Sequence, residues 1–141
     1  MRRRTAPDNA AATTATIEEV REDAAVALRA FFSLADDWQL GIEEQRTVLG
    51  MPSRTTFYRW RGGDIGALSV DLVERLSHLL AIYGALHRIY LEHDHADAWV
   101  RRPNSAPLYG GRPPLERLLD GRIADLYVVR RHLESFAGPA E

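Results

Sequence analysis

The sequence predicts an all-α protein, and three observations carry that prediction. Apolar residues recur at steps of three and four over long windows, no alternating run of useful strand length appears, and Gly and Pro gather in short gaps between the periodic stretches. The 141 residues suit one ordinary domain, or two small helical pieces sharing a core. A chain of that length buries roughly two thirds of its unfolded surface, so it needs no metal or disulfide staple. The absence of cysteine rules out structural disulfides, thiolate zinc sites, iron–sulfur ligation and Cys nucleophiles.

Residues 1–15 (MRRRTAPDNAAATTA) are small and polar with no apolar period, which predicts a disordered tail. Thr16 and Glu19 stand at capping-box spacing, where a hydroxyl and a carboxylate satisfy the free amides of a helix start. The stripe Ile17, Val20, Ala24, Ala27, Leu28, Phe31, Ala35 and Trp38 then predicts a long helix ending near Leu40–Gly41. A short helix follows over Ile42–Leu49, with Ile42, Gln45, Val48 and Leu49 inward. Gly50-Met51-Pro52 interrupts it, because Gly allows positive φ and Pro disfavours helix at the preceding residue. Ser53 can cap a second short helix, Arg54 to Trp60, which stops at Gly62-Gly63. Two short helices joined by a tight Gly-containing turn form a helix-turn-helix pattern.

Ser69 and Asp71 open the next long helix, where Leu72, Leu76, Leu79, Tyr83, Leu86 and Tyr90 follow at steps of 4, 3, 4, 3 and 4. Val73, Leu80, Ile82 and Ile89 widen this seam, which predicts burial against more than one partner, within the chain or in a homodimer. Asp94 to Arg102 reads as one more short helix, closed by Pro103-Asn104. Residues 103–114 form a Pro/Gly-rich loop holding Leu108 and Tyr109. Leu115 to Leu119 is a short helix entered through Pro113 and Pro114, and Gly121 ends it. Ile123 to Phe136 forms the last helix, with Leu126, Val129, Leu133 and Phe136 aligned. The expected organisation is a tail (1–15), a helical region with the helix-turn-helix (16–66) and a second helical region (67–141).

The apolar stretches are far shorter than the ~18 residues of a membrane span, and no signal-peptide core follows Arg2-Arg3-Arg4, so the expected compartment is the cytoplasm. The formal charge is −2, with all 18 basic residues Arg. Residues 1–62 balance nine Arg with nine acids, and residues 63–141 carry nine Arg and eleven acids. Within residues 1–62, Ser53–Arg61 carries Arg54, Arg59 and Arg61 and no acid, and Arg2-Arg3-Arg4 make a second basic spot. Any nucleic-acid contact is therefore local and modest for a single copy.

Four places invite a functional reading. In the helix-turn-helix, Arg54, Thr55, Tyr58, Arg59 and Arg61 can supply donors to phosphates and base edges, while Phe57 and Trp60 anchor the inner face. The competing reading is a plain helical hairpin with a solvated Arg face. His93-Asp94-His95 with Asp97 suggests a metal, but residues two apart on a helix point about 200° apart, so the histidines diverge. A charged helix junction, with Asp94 as cap, explains them better. Catalysis has no support: Ser53, Ser69, Ser77, Ser105 and Ser135 lie in no nucleophile motif, His78 and His87 sit near an apolar face, and no strand leads into a Gly-rich loop. Trp99 to Gly121 makes a shaped surface suited to protein docking, although Trp99, Leu108, Leu115 and Leu118 can equally pack on the long helix.

Taken in order, Arg75-Leu76, Ala98-Trp99-Val100-Arg101-Arg102-Pro103-Asn104, Leu108, Gly110-Gly111, Pro113-Pro114-Leu115, Leu118-Leu119 and Gly121, followed by one apolar helix, form a pattern. It resembles the toxin-binding domain of the Xre/MbcA/ParS antitoxins, and the upstream LGMPSRTTFYRWRGG resembles that family's helix-turn-helix part. The match spans about residues 30–138, with two departures: Gly50 to Trp60 is one residue longer than the commonest helix-turn-helix spacing, and the local positive charge is modest. The resemblance implies an antitoxin of a type II toxin–antitoxin pair, without catalysis or cofactor of its own. It implies a RES-domain toxin partner that consumes NAD⁺, whose active-site cleft this chain covers, together with self-association and repression of its own operon. Toxin contact is then expected at Arg101, Arg102, Tyr109 and Arg112, and along the chain from Phe136 through Gly138, Pro139 and Glu141. The carboxylates of that last segment could meet cationic groups that otherwise hold NAD⁺ phosphates. The alternative is a stand-alone helix-turn-helix repressor whose C-terminal half only dimerises; a third reading is an adaptor for another protein or a DNA locus.

Overall fold

The computed structural model describes the backbone of residues 9–138 and the side chains of residues 23–138. Among these, seven α-helices follow one another: α1 (Asn9–Asp37), α2 (Ile42–Val48), α3 (Arg54–Arg61), α4 (Val70–Ile89), α5 (His93–Ala98), α6 (Pro114–Leu118) and α7 (Ile123–Ala137). A 3₁₀ turn at Trp99–Arg101 continues α5. No strand occurs among the described residues, in agreement with the all-α expectation.

The spine is α4. Its first turn is capped by Ser69, whose hydroxyl accepts the Leu72 amide at 3.1 Å, and Asp71 lies where the helix dipole favours an anion. It packs chiefly on α7 and next on α1. Leu72, Leu76, Leu79, Ile82, Ala85 and Leu86 of α4 form one continuous core with Leu126, Val129 and Leu133 of α7 and with Leu28, Phe31, Leu34, Ala35 and Trp38 of α1. Helices from both sides of residue 66 thus share a single interior. The seam runs as expected through Leu79 and then passes to Ile82 and Ala85, leaving Tyr83 and Tyr90 half-buried. Tyr83 stays at the margin because its hydroxyl donates to Asp37 Oδ2 at 2.6 Å. Burial and that carboxylate both push the phenol's pKa up.

Several boundaries differ from the sequence reading. Helix α1 begins at Asn9, so Thr16 and Glu19 lie inside it and residues 9–15 are helical where a tail was expected. Ala10-Ala11-Ala12 supplies the strongest intrinsic helix former, which outweighs the neighbouring threonines. The rest of that expected tail, residues 1–8, lies outside the described residues. Helix α1 ends in a left-handed residue, Gln39 at φ 58, and the Leu40 amide bonds back to the Ala35 carbonyl at 2.8 Å, which returns Leu40 to the core. Helix α5 starts at His93 behind Glu92, so Asp94 is not its cap. The ring of His93 lies 4.8 Å from that of His87, and His95 sits 3.8 Å from Glu92, so the two histidines do point apart. Phe136 aligns with the buried stripe of α7 yet is 70% exposed. The last turns of α7 and α4 lie level, with Arg88 Nη2 donating to the Gly138 carbonyl at 2.7 Å, and among the described residues nothing beyond them covers the ring.

Candidate functional site

The helix-turn-helix is built on α4. The turn between α2 and α3 needs two residues of positive φ, Gly50 at 93° and Met51 at 63°. Only a glycine suits position 50, because a Cβ there would stand 3.0 Å from Arg75 Nε and 3.1 Å from Asp71 Oδ2. That Arg75–Asp71 pair, 2.9 Å apart on α4, is the seat of the turn. Met51 N bonds to the Arg46 carbonyl at 2.7 Å, and Arg46 Nε donates to the Pro52 carbonyl at 2.9 Å, which closes the turn. Ser53 caps α3 by accepting the Thr56 amide at 3.1 Å.

Phe57 is fully buried, edge-on to Phe32 of α1 at 5.7 Å, and orients α3 as its inner anchor; Trp60 is half-buried. Arg54, Thr55, Tyr58, Arg59 and Arg61 are all exposed. The three arginines are each engaged: Arg54 Nη2 lies 2.8 Å from Glu43 Oε2, Arg59 Nε lies 3.1 Å from Asp64 Oδ2, and the Arg61 guanidinium stands over the Phe32 ring at 5.9 Å. Thr55 and Tyr58 complete an outward face of polar donors on a helix held rigidly from behind. Such a face can enter a DNA major groove.

The residues expected to meet a toxin divide into two kinds. Arg102, Arg112 and Phe136 are exposed; Arg102 lies over the Tyr90 ring at 6.0 Å, and Arg112 has only a loose 3.4 Å contact with Glu116. Gly138 closes α7 at φ 79, and Pro139 and Glu141 lie outside the described residues. Arg101 is exposed as well but its guanidinium is engaged within the chain, whereas Tyr109 is buried. Arg101 Nε donates to the Trp38 carbonyl at 3.0 Å, and its Nη2 donates to the Gln39 carbonyl at 2.7 Å and meets Glu44 at 3.3 Å. It clasps the end of α1 and the start of α2 to the segment after α5. Tyr109, expected on the surface, is buried edge-on against Trp99 at 5.7 Å, and its hydroxyl bonds to His132 Nδ1 at 2.9 Å. Its loop folds inward because Asn104 exchanges backbone bonds with Gly111 and Arg112.

Burial raises the Tyr109 phenol's pKa and lowers the His132 imidazole's. With His132 neutral, the Tyr109 hydroxyl and Nδ1 share one hydrogen bond, whose direction follows the imidazole tautomer. The edge-to-face column Trp99, Tyr109, His132 and Phe136 ends at the exposed Phe136 ring, 5.3 Å from His132. Beside it lies a groove of about 400 Å³ lined by Ile89, Tyr90, Trp99, Asn104, His132 and Phe136. Reading the sequence missed His132, although its spacing of four from Phe136 puts both on one helix face. It also missed the Arg117–Asp125 pair at 2.8 Å, which ties α6 to α7. A second cleft, of about 370 Å³, holds Arg112, Arg117 and Arg122 among Glu116, Asp120 and Asp125. Its charges are mutually paired, and hydrogen bonding to Arg122 holds the Asp120 carboxyl's pKa down. Among the described residues, no three His, Asp or Glu converge as for a metal, and no helix is long and apolar enough to cross a membrane.

Fold and site together define a helix-turn-helix protein. Residues 20–81, which run from within α1 through α2 and α3 into α4, match the antitoxin Xre-like helix-turn-helix domain. The chain is also 42% identical over 111 residues to a Sinorhizobium fredii protein named "Uncharacterized protein y4oB", covering 79% of this chain and 84% of that one. No solved structure matches it. Residues 20–81 thus form an antitoxin Xre-like helix-turn-helix domain, and the chain belongs to one family with that relative.

Proposed function

We propose that this protein is the antitoxin of a type II toxin–antitoxin pair, binding a RES-domain toxin that consumes NAD⁺ and covering its active site. The observation that carries the reading is the antitoxin-type helix-turn-helix domain, built onto the same core as an aromatic and basic end suited to protein docking. Exposed Arg and aromatic side chains beside a groove are typical interface anchors. On this reading Arg102, Arg112 and Phe136 touch the toxin, and the chain from Gly138 through Pro139 and Glu141 enters its cleft. Arg101, braced by the Trp38 and Gln39 carbonyls, stands on the same surface, and Tyr109 acts behind it by holding Trp99 in place. The protein performs no chemistry and needs no cofactor; it works in the cytoplasm by exclusion. Its α3 lies in the major groove of its own operator, with Arg54, Thr55, Tyr58 and Arg59 at base edges and Arg61 at a phosphate. A homodimer presents two such helices to two half-sites. Its seat is the apolar groove between α1 and α4, beside the exposed Val26, Val70 and Val73.

The test is co-expression with the product of the neighbouring gene, followed by affinity purification and a cellular NAD⁺ assay. Stable co-purification is expected, with NAD⁺ preserved only when this chain is present. No complex and no effect on NAD⁺ would overturn the antitoxin reading. The stand-alone repressor would then lead, favoured by the fully formed and outward-facing α3.

A further inference from the structure

Each arginine on the exposed face of α3 is engaged within the free protein. Arg54 is held by Glu43 at 2.8 Å, Arg59 by Asp64 at 3.1 Å, and Arg61 lies over the Phe32 ring. The two carboxylates flank the reading face, Glu43 in the first turn of α2 and Asp64 just past the end of α3. Their placement follows from the backbone. The Asp64 amide donates to the Arg59 carbonyl at 2.8 Å, so the turn that closes α3 delivers the carboxylate to the guanidinium of the same residue. Glu43 is shared, since its other oxygen takes Arg46 Nη1 at 2.7 Å, and Arg46 in turn holds the Pro52 carbonyl. Both acids are exposed, so neither pair stabilises the fold by much. Their effect falls on what can approach α3.

A DNA phosphate reaching Arg54 or Arg59 must displace a carboxylate and then lie beside it, like charge against like. A guanine edge offers two acceptors to one guanidinium and brings no charge of its own, so it competes better. We propose that Glu43 and Asp64 set the specificity of the DNA-reading face, withholding Arg54 and Arg59 from phosphates of arbitrary sequence. This rests on the operator-binding reading above.

The experiment compares the full chain with the Glu43→Gln/Asp64→Asn variant by fluorescence anisotropy over a salt series. The probes are the protein's own promoter fragment and a scrambled fragment of equal length. The variant is expected to bind the scrambled fragment about tenfold more tightly and the promoter by a smaller factor, with a log–log salt slope steeper by about one to two. Adding Arg54→Ala and Arg59→Ala should abolish the gain. Unchanged affinities, weaker binding to both fragments, or a gain that survives removal of the arginines would each overturn the proposal. If neither protein binds either fragment while circular dichroism shows both folded, the operator-binding reading itself fails and takes the proposal with it.

Discussion

At Gly50 the absence of one methyl group lets the helix-turn-helix sit on α4. Gly50 and Gly63 both lie in the left-handed region, at φ 93 and 96, but only at Gly50 would a Cβ meet neighbours, Arg75 and Asp71. Alanine at either position incurs about 1–2 kcal/mol of backbone strain. Gly50→Ala should lose more than Gly63→Ala in urea denaturation, because the buried Arg75 must also shift. Equal losses would show that the seat on α4 is soft. His132 makes a prediction about pH. Burial lowers its pKa in the folded state, so the unfolded chain takes up the proton first as the pH falls. Its contribution is therefore complete above the ordinary His value of about 6.5 and is lost below it. Protonation also makes both ring nitrogens donors, so the Tyr109 hydroxyl can then only accept from Nδ1. The Tm advantage of the wild type over His132→Gln should shrink as the pH falls from about 7.5 to about 5. A pH-independent difference would contradict this.

Among the elements, the loop after α5 is tied to the helix-turn-helix through one side chain. Arg101 reaches two carbonyls at the end of α1 and the Glu44 carboxylate on α2. The guanidinium spreads its donors over three nitrogens, so Nε and Nη2 reach separate acceptors that the single nitrogen of an ammonium does not span. Arg101→Ala should lower stability by about 1–3 kcal/mol, and Arg101→Lys should recover little of it. Amide exchange should quicken from Gln39 to Glu44 while the α7 interior keeps its protection. Exchange that quickens uniformly would mean that Arg101 supports the whole core and not this junction. The same scale shows how helix ends are decided. Helices α1, α2 and α3 each close on a left-handed residue, but at α1 that residue is Gln39, which no glycine marks in the sequence.

For the whole molecule, the outward face of α3 and the Phe136 end belong to different elements, α3 on one side and the ends of α4 and α7 on the other, joined through one core. Arg102→Ala/Phe136→Ala should weaken toxin binding by tenfold or more, as loss of interface anchors does. It should leave Tm and promoter affinity unchanged, since the Phe136 ring is exposed and Arg102 lies on the surface. Surface plasmon resonance on the purified pair measures the first effect and anisotropy on the promoter the second. Full toxin affinity in the variant would place the docking surface elsewhere.

What the sequence determined by itself was local. Apolar spacing, the Ser53 and Ser69 caps, the Gly50-Met51-Pro52 break and the Gly62-Gly63 stop depend on residues a few positions apart. They placed the helices to within a few residues, except at the start of α1, where alanine propensity prevailed over the capping pair. The outward set Arg54, Thr55, Tyr58, Arg59 and Arg61 was legible for the same reason, since a buried Phe57 orients a short helix by its period alone. Only the tertiary structure decided which way Arg101, Tyr109 and Phe136 face. Arg101 finds its carbonyls 63 and 62 residues away, and Tyr109 finds His132 23 residues away. Among the described residues Phe136 is left uncovered because α4 ends beside it. Burial depends on which distant segment covers a side chain, and periodicity reports only which side of its own helix the residue is on.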